Sequence, residues 1–437
     1  MKFLKKNKGS IFSIIIKFIG LASILGTNIF AAIMLDPITQ GAFFTFTSLV
    51  TIQGLIELGF SGILITYTSH EWANLSFSKN KTIVGDIISI ERMQDLSKFA
   101  IKWYSFASLI LFFILIIIGY FTFQKSTDHV DWIYPWVSLS ATTSLNLLLS
   151  PLILILEGCN QFKKVYTFRL YQILLSNCFC LFFLFFNFNL WSLSLSSLIS
   201  ALFYMLYMYI NYKKLIIQMF IISFRKKVSY FSWKKELLPL QFKISIGWIA
   251  GFLMNQFYVP VIFYFKGPIL AGQAGLVLNL IAGMNILISS WIAPKVPKFG
   301  ILAAKLKNEH AFLLASRLFK ESIIIILILN LLILLSLIVI NYFELKLLGK
   351  LLPITATIFF IFAAGINIIT LPLTLHLRSN KTDPIFSISL LFTIINALSI
   401  IVICKYLSIN YLGAWNLLSS VVMSAILYSI WKKSANE

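Results

Sequence analysis

Long apolar runs separated by short polar stretches recur along the whole chain. At 1.5 Å per residue, roughly twenty such residues cross about 30 Å of hydrocarbon, so each run predicts a membrane-spanning helix. Twelve segments are predicted, at about 11–34, 41–68, 98–123, 131–157, 165–187, 190–210, 240–264, 269–294, 317–341, 351–376, 384–404 and 410–431. Asn187-Phe188-Asn189 is the whole connection between the fifth and sixth, which makes them antiparallel neighbours. The first segment leaves the membrane through a tight connection, Leu35-Asp36-Pro37-Ile38-Thr39-Gln40-Gly41.

That exit has a second copy. Pro37-Ile38-x-x-Gly41 maps onto Pro268-Ile269-x-x-Gly272, and at the same offset of 231 residues Gly20 maps onto Gly251. The pattern predicts two six-helix halves, 1–210 and 240–437, joined by a linker at 211–239. With an even number of helices per half, both halves start on the same side of the membrane. The repeat is therefore parallel, about an axis along the membrane normal.

Composition agrees with the pattern. Of 437 residues, 59% are hydrophobic and 12% charged, too few polar residues to cover a soluble surface. The net charge of +21 would suggest nucleic acid in a soluble protein. Here the cations sit between apolar segments, so they orient the helices and no nucleic-acid partner is expected. One set of alternate loops, with both termini, holds 28 Lys and Arg, and the other set holds five: Lys125, Lys266, Lys346, Lys350 and Lys405. The rich set is predicted to be cytoplasmic. Trp72, Trp132, Trp136 and Trp431 stand at segment ends, where interfacial aromatic belts form. The linker alternates Lys213, Lys214, Arg225, Lys226, Lys227, Lys234 and Lys235 with aromatic residues, which reads as a basic amphipathic helix on the inner leaflet.

Three places carry a resemblance to a known family. One is Gln40-Gly41-Ala42-Phe43-Phe44-Thr45-Phe46, then Gln53, Ile56-Glu57-Leu58-Gly59-Phe60 and Ser69-His70-Glu71-Trp72. The next is Leu156-Glu157-Gly158-Cys159-Asn160, followed by Val165, Arg169 and Gln172. The third is the six-plus-six layout with a basic centre. Together they resemble Wzx-type flippases of the multidrug/oligosaccharidyl-lipid/polysaccharide (MOP) exporter superfamily, over essentially the whole chain. The resemblance implies an all-α, MATE-like V-shaped membrane fold with both termini cytoplasmic, in the bacterial inner membrane. It implies a cationic central cavity and alternating access coupled to H⁺ or Na⁺. Its cargo would be undecaprenyl-diphosphate-linked oligosaccharide for O-antigen of lipopolysaccharide or another surface polysaccharide, with a polymerase and a chain-length regulator as partners.

Ionisable residues inside membrane helices are expensive and therefore candidates for the site. Lys17, Lys102 and Lys243 lie near the predicted cytoplasmic ends of the first, third and seventh helices. There they could meet a lipid diphosphate, or snorkel to the headgroups. Glu57 is the deepest acid and the candidate for ion coupling; a structural pairing with Lys17 is the alternative. Glu157 and Arg169 flank the turn between the fourth and fifth helices and are expected to pair there. Asn28, Gln53, Asn255, Gln256 and Asn279 fall at membrane depth, together with Gln273 and Asn285, and suit sugar hydroxyls or interhelical hydrogen bonds.

Other chemistries lack residues. Cys159, Cys178, Cys180 and Cys404 are expected as small hydrophobes; with four scattered histidines they show no metal-ligand spacing. No Gly-rich phosphate loop or catalytic constellation is present, so neither a cofactor nor an enzymatic activity is expected. A membrane glycosyltransferase or polymerase would need catalytic groups on a sizeable outer loop, and the outer connections are short. A drug or metabolite antiporter of the same superfamily is the closer alternative, and should carry more buried acids than lysines.

Overall fold

The computed structural model describes residues 8–78, 81–124, 130–221, 238–292, 295–296, 299, 302, 308–343, 348–379 and 385–433. The amphipathic reading of the linker falls largely on 222–237 and lies outside them. Among the described residues, sixteen α-helices follow in order. They are α1 (Lys8–Met34), α2 (Pro37–Val50), α3 (Gln53–Glu57), α4 (Phe60–Trp72), α5 (Ile87–Phe123), α6 (Ile133–Gly158), α7 (Phe162–Phe185) and α8 (Trp191–Ile216). The second series is α9 (Leu238–Asn255), α10 (Tyr258–Lys266), α11 (Pro268–Ile292), α12 (Asn308–Tyr342), α13 (Ile354–Ile369), α14 (Leu371–Ser379), α15 (Phe386–Tyr406) and α16 (Ile409–Lys433). Among the described residues, nine helices are long and apolar enough to cross a membrane, or eleven with each bent pair taken as one span.

Two expected single helices are broken. Pro37–Glu57 and Phe60–Trp72 meet at 47°, and Ser245–Asn255 meets Tyr258–Lys266 at 45°. The first break is made by Leu58 and Gly59, both left-handed at φ 51° and 69°. Glycine takes that conformation freely; leucine does so only at a cost. The second break lies one turn before Pro260. A proline there cannot donate to the carbonyl of Gln256 and its ring crowds that carbonyl.

Other elements run past the apolar pattern. Helix α5 starts at Ile87, eleven residues before the apolar run, because the Asp86 carboxylate caps it by accepting from Ser89 N at 2.8 Å. A hairpin absent from the sequence reading, β1 (Leu75–Phe77) with β2 (Ile83–Gly85), precedes it. Gln218 pairs with both backbone groups of Ile83, at 2.8 and 2.7 Å, and so covers the outer edge of β2.

The chain forms two compact units, 46–256 and 1–45 with 257–437. In the first, α6 packs on α4, α5 and α8, and α7 packs on α8. Phe46 lies against Phe123 and Trp136, at ring distances of 5.0 and 4.8 Å. The Trp136 indole N–H reaches Leu115 O at 2.9 Å across Gly119, where a side chain would collide. In the second unit α1 packs on α11, and α13 on α16. Small residues let those backbones approach, as membrane interfaces require: Gly283 faces Leu25, and a Cβ on Gly413 would stand 3.1 Å from Ala356 O.

The two copies of the repeated exit touch each other within this unit. A Cβ on Gly41 would stand 2.1 Å from Pro268 O, and one on Gly272 would stand 2.8 Å from Gly41 N. The 3₁₀ turn Leu348–Lys350 ties both copies down. Gln40 Nε2 donates to Lys350 O at 3.3 Å, Gln273 Nε2 to Gly349 O at 3.0 Å, and Lys350 Nζ to Leu35 O at 2.5 Å.

Candidate functional site

Glu57 ends α3, immediately before the left-handed pair that breaks the span. The hydroxyl of Tyr104, from the middle of α5, donates to Glu57 Oε1 at 2.5 Å. Tyr104 is wholly buried and Glu57 half-buried. A hydrogen bond to a carboxylate is about twice as strong as one between neutral groups, so the phenol fixes this acid against α5. Gln53 stands four residues earlier, one helical turn away on the same face. In the same unit Trp248 of α9 lies 3.4 Å from the position of a Cβ on Gly54. The arrangement is a carboxylate, a phenol and an amide at a helix break. It can hold a proton or a small cation.

The other sequence candidates divide by what their side chains touch. Asn255, exposed at the break after α9, donates to Gly251 O at 2.9 Å. Asn279 donates in the same way to Gly275 O at 2.9 Å. Each amide thus keeps an oxygen and a second N–H for another partner. Gln256 is half-buried and Asn28 on α1 is buried. Lys102 is exposed, on the α5 stripe that continues through Phe106, Leu109 and Phe113. The side chains of Lys17 on α1 and Lys243 on α9 lie outside the described residues. Arg169 donates to Glu157 Oε2 at 2.8 Å, with the glutamate side chain 10% exposed. The tight turn beside this pair puts Asn160 at φ 59° and Gly158 against Thr68.

Three arrangements were invisible in the sequence. The first is Tyr104. The second is a network in the 257–437 segment: Tyr258 donates to Asn416 Oδ1 at 3.0 Å, Asn396 Nδ2 to the Tyr258 hydroxyl at 3.3 Å, and Trp415 to Asn396 Oδ1 at 3.1 Å. It ties α10, α15 and α16 together, and only the intramembrane asparagines hinted at it. The third is the clasp at Lys350. Beside it, Asp36 accepts from Ile38 N at 3.1 Å and Thr39 N at 3.0 Å. Burial pushes the Asp36 carboxyl up, but the bonds from Thr39 and Ile38 outweigh it and hold the group below its usual value. Burial lowers Lys350, which the nearby Asp36 carboxylate partly offsets. Among the described residues, no group of three or more His, Cys, Asp or Glu could hold a metal ion.

No family model and no curated sequence matches the chain. Solved structures do match in fold. An inward-facing multidrug resistance MATE family transporter of the MOP superfamily superposes with a TM-score of 0.65 at 12% identity, over 98% of this chain and 99% of its own. The lipid II flippase MurJ, in an inward closed conformation, gives 0.63 at 15% identity, over 97% of this chain and 90% of its own. A MOP superfamily transporter from Pyrococcus furiosus gives 0.56 at 15% identity, over 98% and 96%. Along nearly its whole length, the chain has the fold that MATE-type transporters share with this lipid flippase.

Proposed function

We propose that the chain is a flippase for lipid-linked oligosaccharides, moving a glycan on an undecaprenyl diphosphate across the bacterial inner membrane for O-antigen or another surface polysaccharide. The observation that carries this reading is the full-length likeness in fold to both multidrug transporters and a lipid II flippase. Between those two, the charges in the predicted membrane segments favour the flippase. Lys17, Lys102 and Lys243 stand against a single deep acid, Glu57; Lys102 is exposed, so the argument rests on Lys17 and Lys243. Lysines facing a cavity at membrane depth suit a diphosphate and repel cationic drugs. The sequence halves 1–210 and 240–437 serve as the two lobes, joined by 211–239, and both termini face the cytoplasm. The broken helices put non-helical backbone and polar side chains at membrane depth, where a passing glycan needs hydrogen-bond partners. Glu57, held by Tyr104, carries the coupling ion, H⁺ or Na⁺. A polymerase and a chain-length regulator take up the product outside.

A drug or metabolite antiporter is the second reading, favoured by the likeness to the multidrug transporter. A clean deletion strain with no redundant exporter separates the two. The flippase reading expects lipid-linked repeat units to accumulate on the inner leaflet and surface polysaccharide to disappear. Normal polysaccharide with raised drug sensitivity would establish the antiporter instead.

A further inference from the structure

A groove of about 550 Å³ runs between α6 and α8, within the unit 46–256. Leu149 and Leu152 form one wall, and Met205, Met208, Tyr209 and Ile216 the other. Pro151 stands inside α6 beside it. Ile153 N–H would ordinarily donate to Leu149 O. The Tyr204 hydroxyl engages both groups, accepting from Ile153 N at 3.1 Å and donating to Leu149 O at 2.8 Å. Tyr204 thereby turns its one polar atom onto the α6 backbone. The surface left to the groove is hydrocarbon, thioether and ring, and two methionines can adapt to an irregular chain.

A cation stands at the rim of the groove, beside Tyr209. Met205 and Tyr209 lie one turn apart on α8; Tyr212, non-helical at φ −135° and ψ 19°, then kinks the helix ahead of Ile216 and of Lys213. Lys213 Nζ is 3.3 Å from the Tyr209 hydroxyl and 5.0 Å from that ring. Lys214 is exposed beside it. Lys81, from the loop between β1 and β2, reaches Asn211 Oδ1 at 3.4 Å and stands 5.3 Å over the Tyr212 ring.

We propose that this groove binds one acyl chain of an anionic glycerophospholipid of the inner leaflet, with its phosphate at Lys213. The groove is apolar, and the cation beside Tyr209 lies where that lipid carries its negative charge.

The test uses the full-length protein in detergent, stripped of lipid, with bound lipid counted by native mass spectrometry. Phosphatidylglycerol and phosphatidylcholine with identical chains are compared. The wild type is expected to retain phosphatidylglycerol selectively. Lys213→Gln should weaken it about fivefold, while Lys164→Gln, a lysine at the start of α7, should change nothing. Met205→Trp should fill the groove and weaken both lipids; Leu152→Phe replaces it if that variant does not fold. Equal retention of the two lipids, or unchanged selectivity in Lys213→Gln, would overturn the proposal. Competition by glycerol phosphate alone would reduce the site to a headgroup patch. Displacement by a polyprenyl phosphate at lower concentration would make it a cargo site, and so overturn the assignment to a bilayer lipid. Binding is read without transport, so the result stands apart from the flippase reading.

Discussion

At the residue scale, Glu57 and Tyr104 form one unit. The 2.5 Å bond joins them across two helices, and a hydrogen bond to a charged group contributes about 1.5–3 kcal/mol. If the pair carries the coupling ion together, breaking either partner breaks the same site. Glu57→Gln, Tyr104→Phe and the double variant are therefore expected to lose transport to within about twofold of one another, read as gradient-driven flipping in proteoliposomes. Losses that multiply in the double variant would assign the two residues separate roles. Glu57 was legible in the sequence because an acid so deep in an apolar run is costly wherever it points. Tyr104 was not, because one aromatic among many on a long helix carries no mark of its partner 47 residues earlier.

At the scale of elements, the repeated Pro-Ile-x-x-Gly exit was read as two equivalent hairpins. Their contact with each other gives the glycines a reason. Gly41→Ala would drive a methyl into Pro268 O and should destabilise the protein by about 3 kcal/mol, the upper end for overpacking. Gly26→Ala, with nothing within 4 Å of its Cβ, should be neutral or stabilising by up to about 1 kcal/mol through helix propensity. Thermal unfolding of the two variants in the same detergent measures the contrast. Equal stability would mean that the approach at Gly41 relaxes without cost. The breaks were harder to read than the spans. Hydropathy sees an unbroken apolar run through Leu58-Gly59 and through Gln256–Pro260, since it averages composition and is blind to φ. Likewise α5 starts early because Asp86 caps it, and the polar residues from Glu91 to Lys98 hide that start from hydropathy.

At the scale of the whole molecule, the prediction concerns charge. Lys17 and Lys243 stand on the first and seventh helices of the two halves, on α1 and α9. If both meet the diphosphate, Lys17→Ala and Lys243→Ala should each slow export about tenfold, equivalent to about 1.4 kcal/mol, with normal membrane insertion. Export at the wild-type level in the double variant would show that both snorkel. Membrane class was readable from order and spacing alone, because hydrocarbon imposes the same length rule on every span; the two six-helix halves and the sidedness are expectations drawn from the same order. Tertiary structure decided which distant residues meet: Glu57 with Tyr104, Gly41 with Pro268, Lys350 with Leu35, and the Tyr204 hydroxyl with the α6 backbone at Leu149. Each is a contact between segments far apart in the chain, fixed by packing and hydrogen-bond geometry. Local composition carries no trace of such contacts.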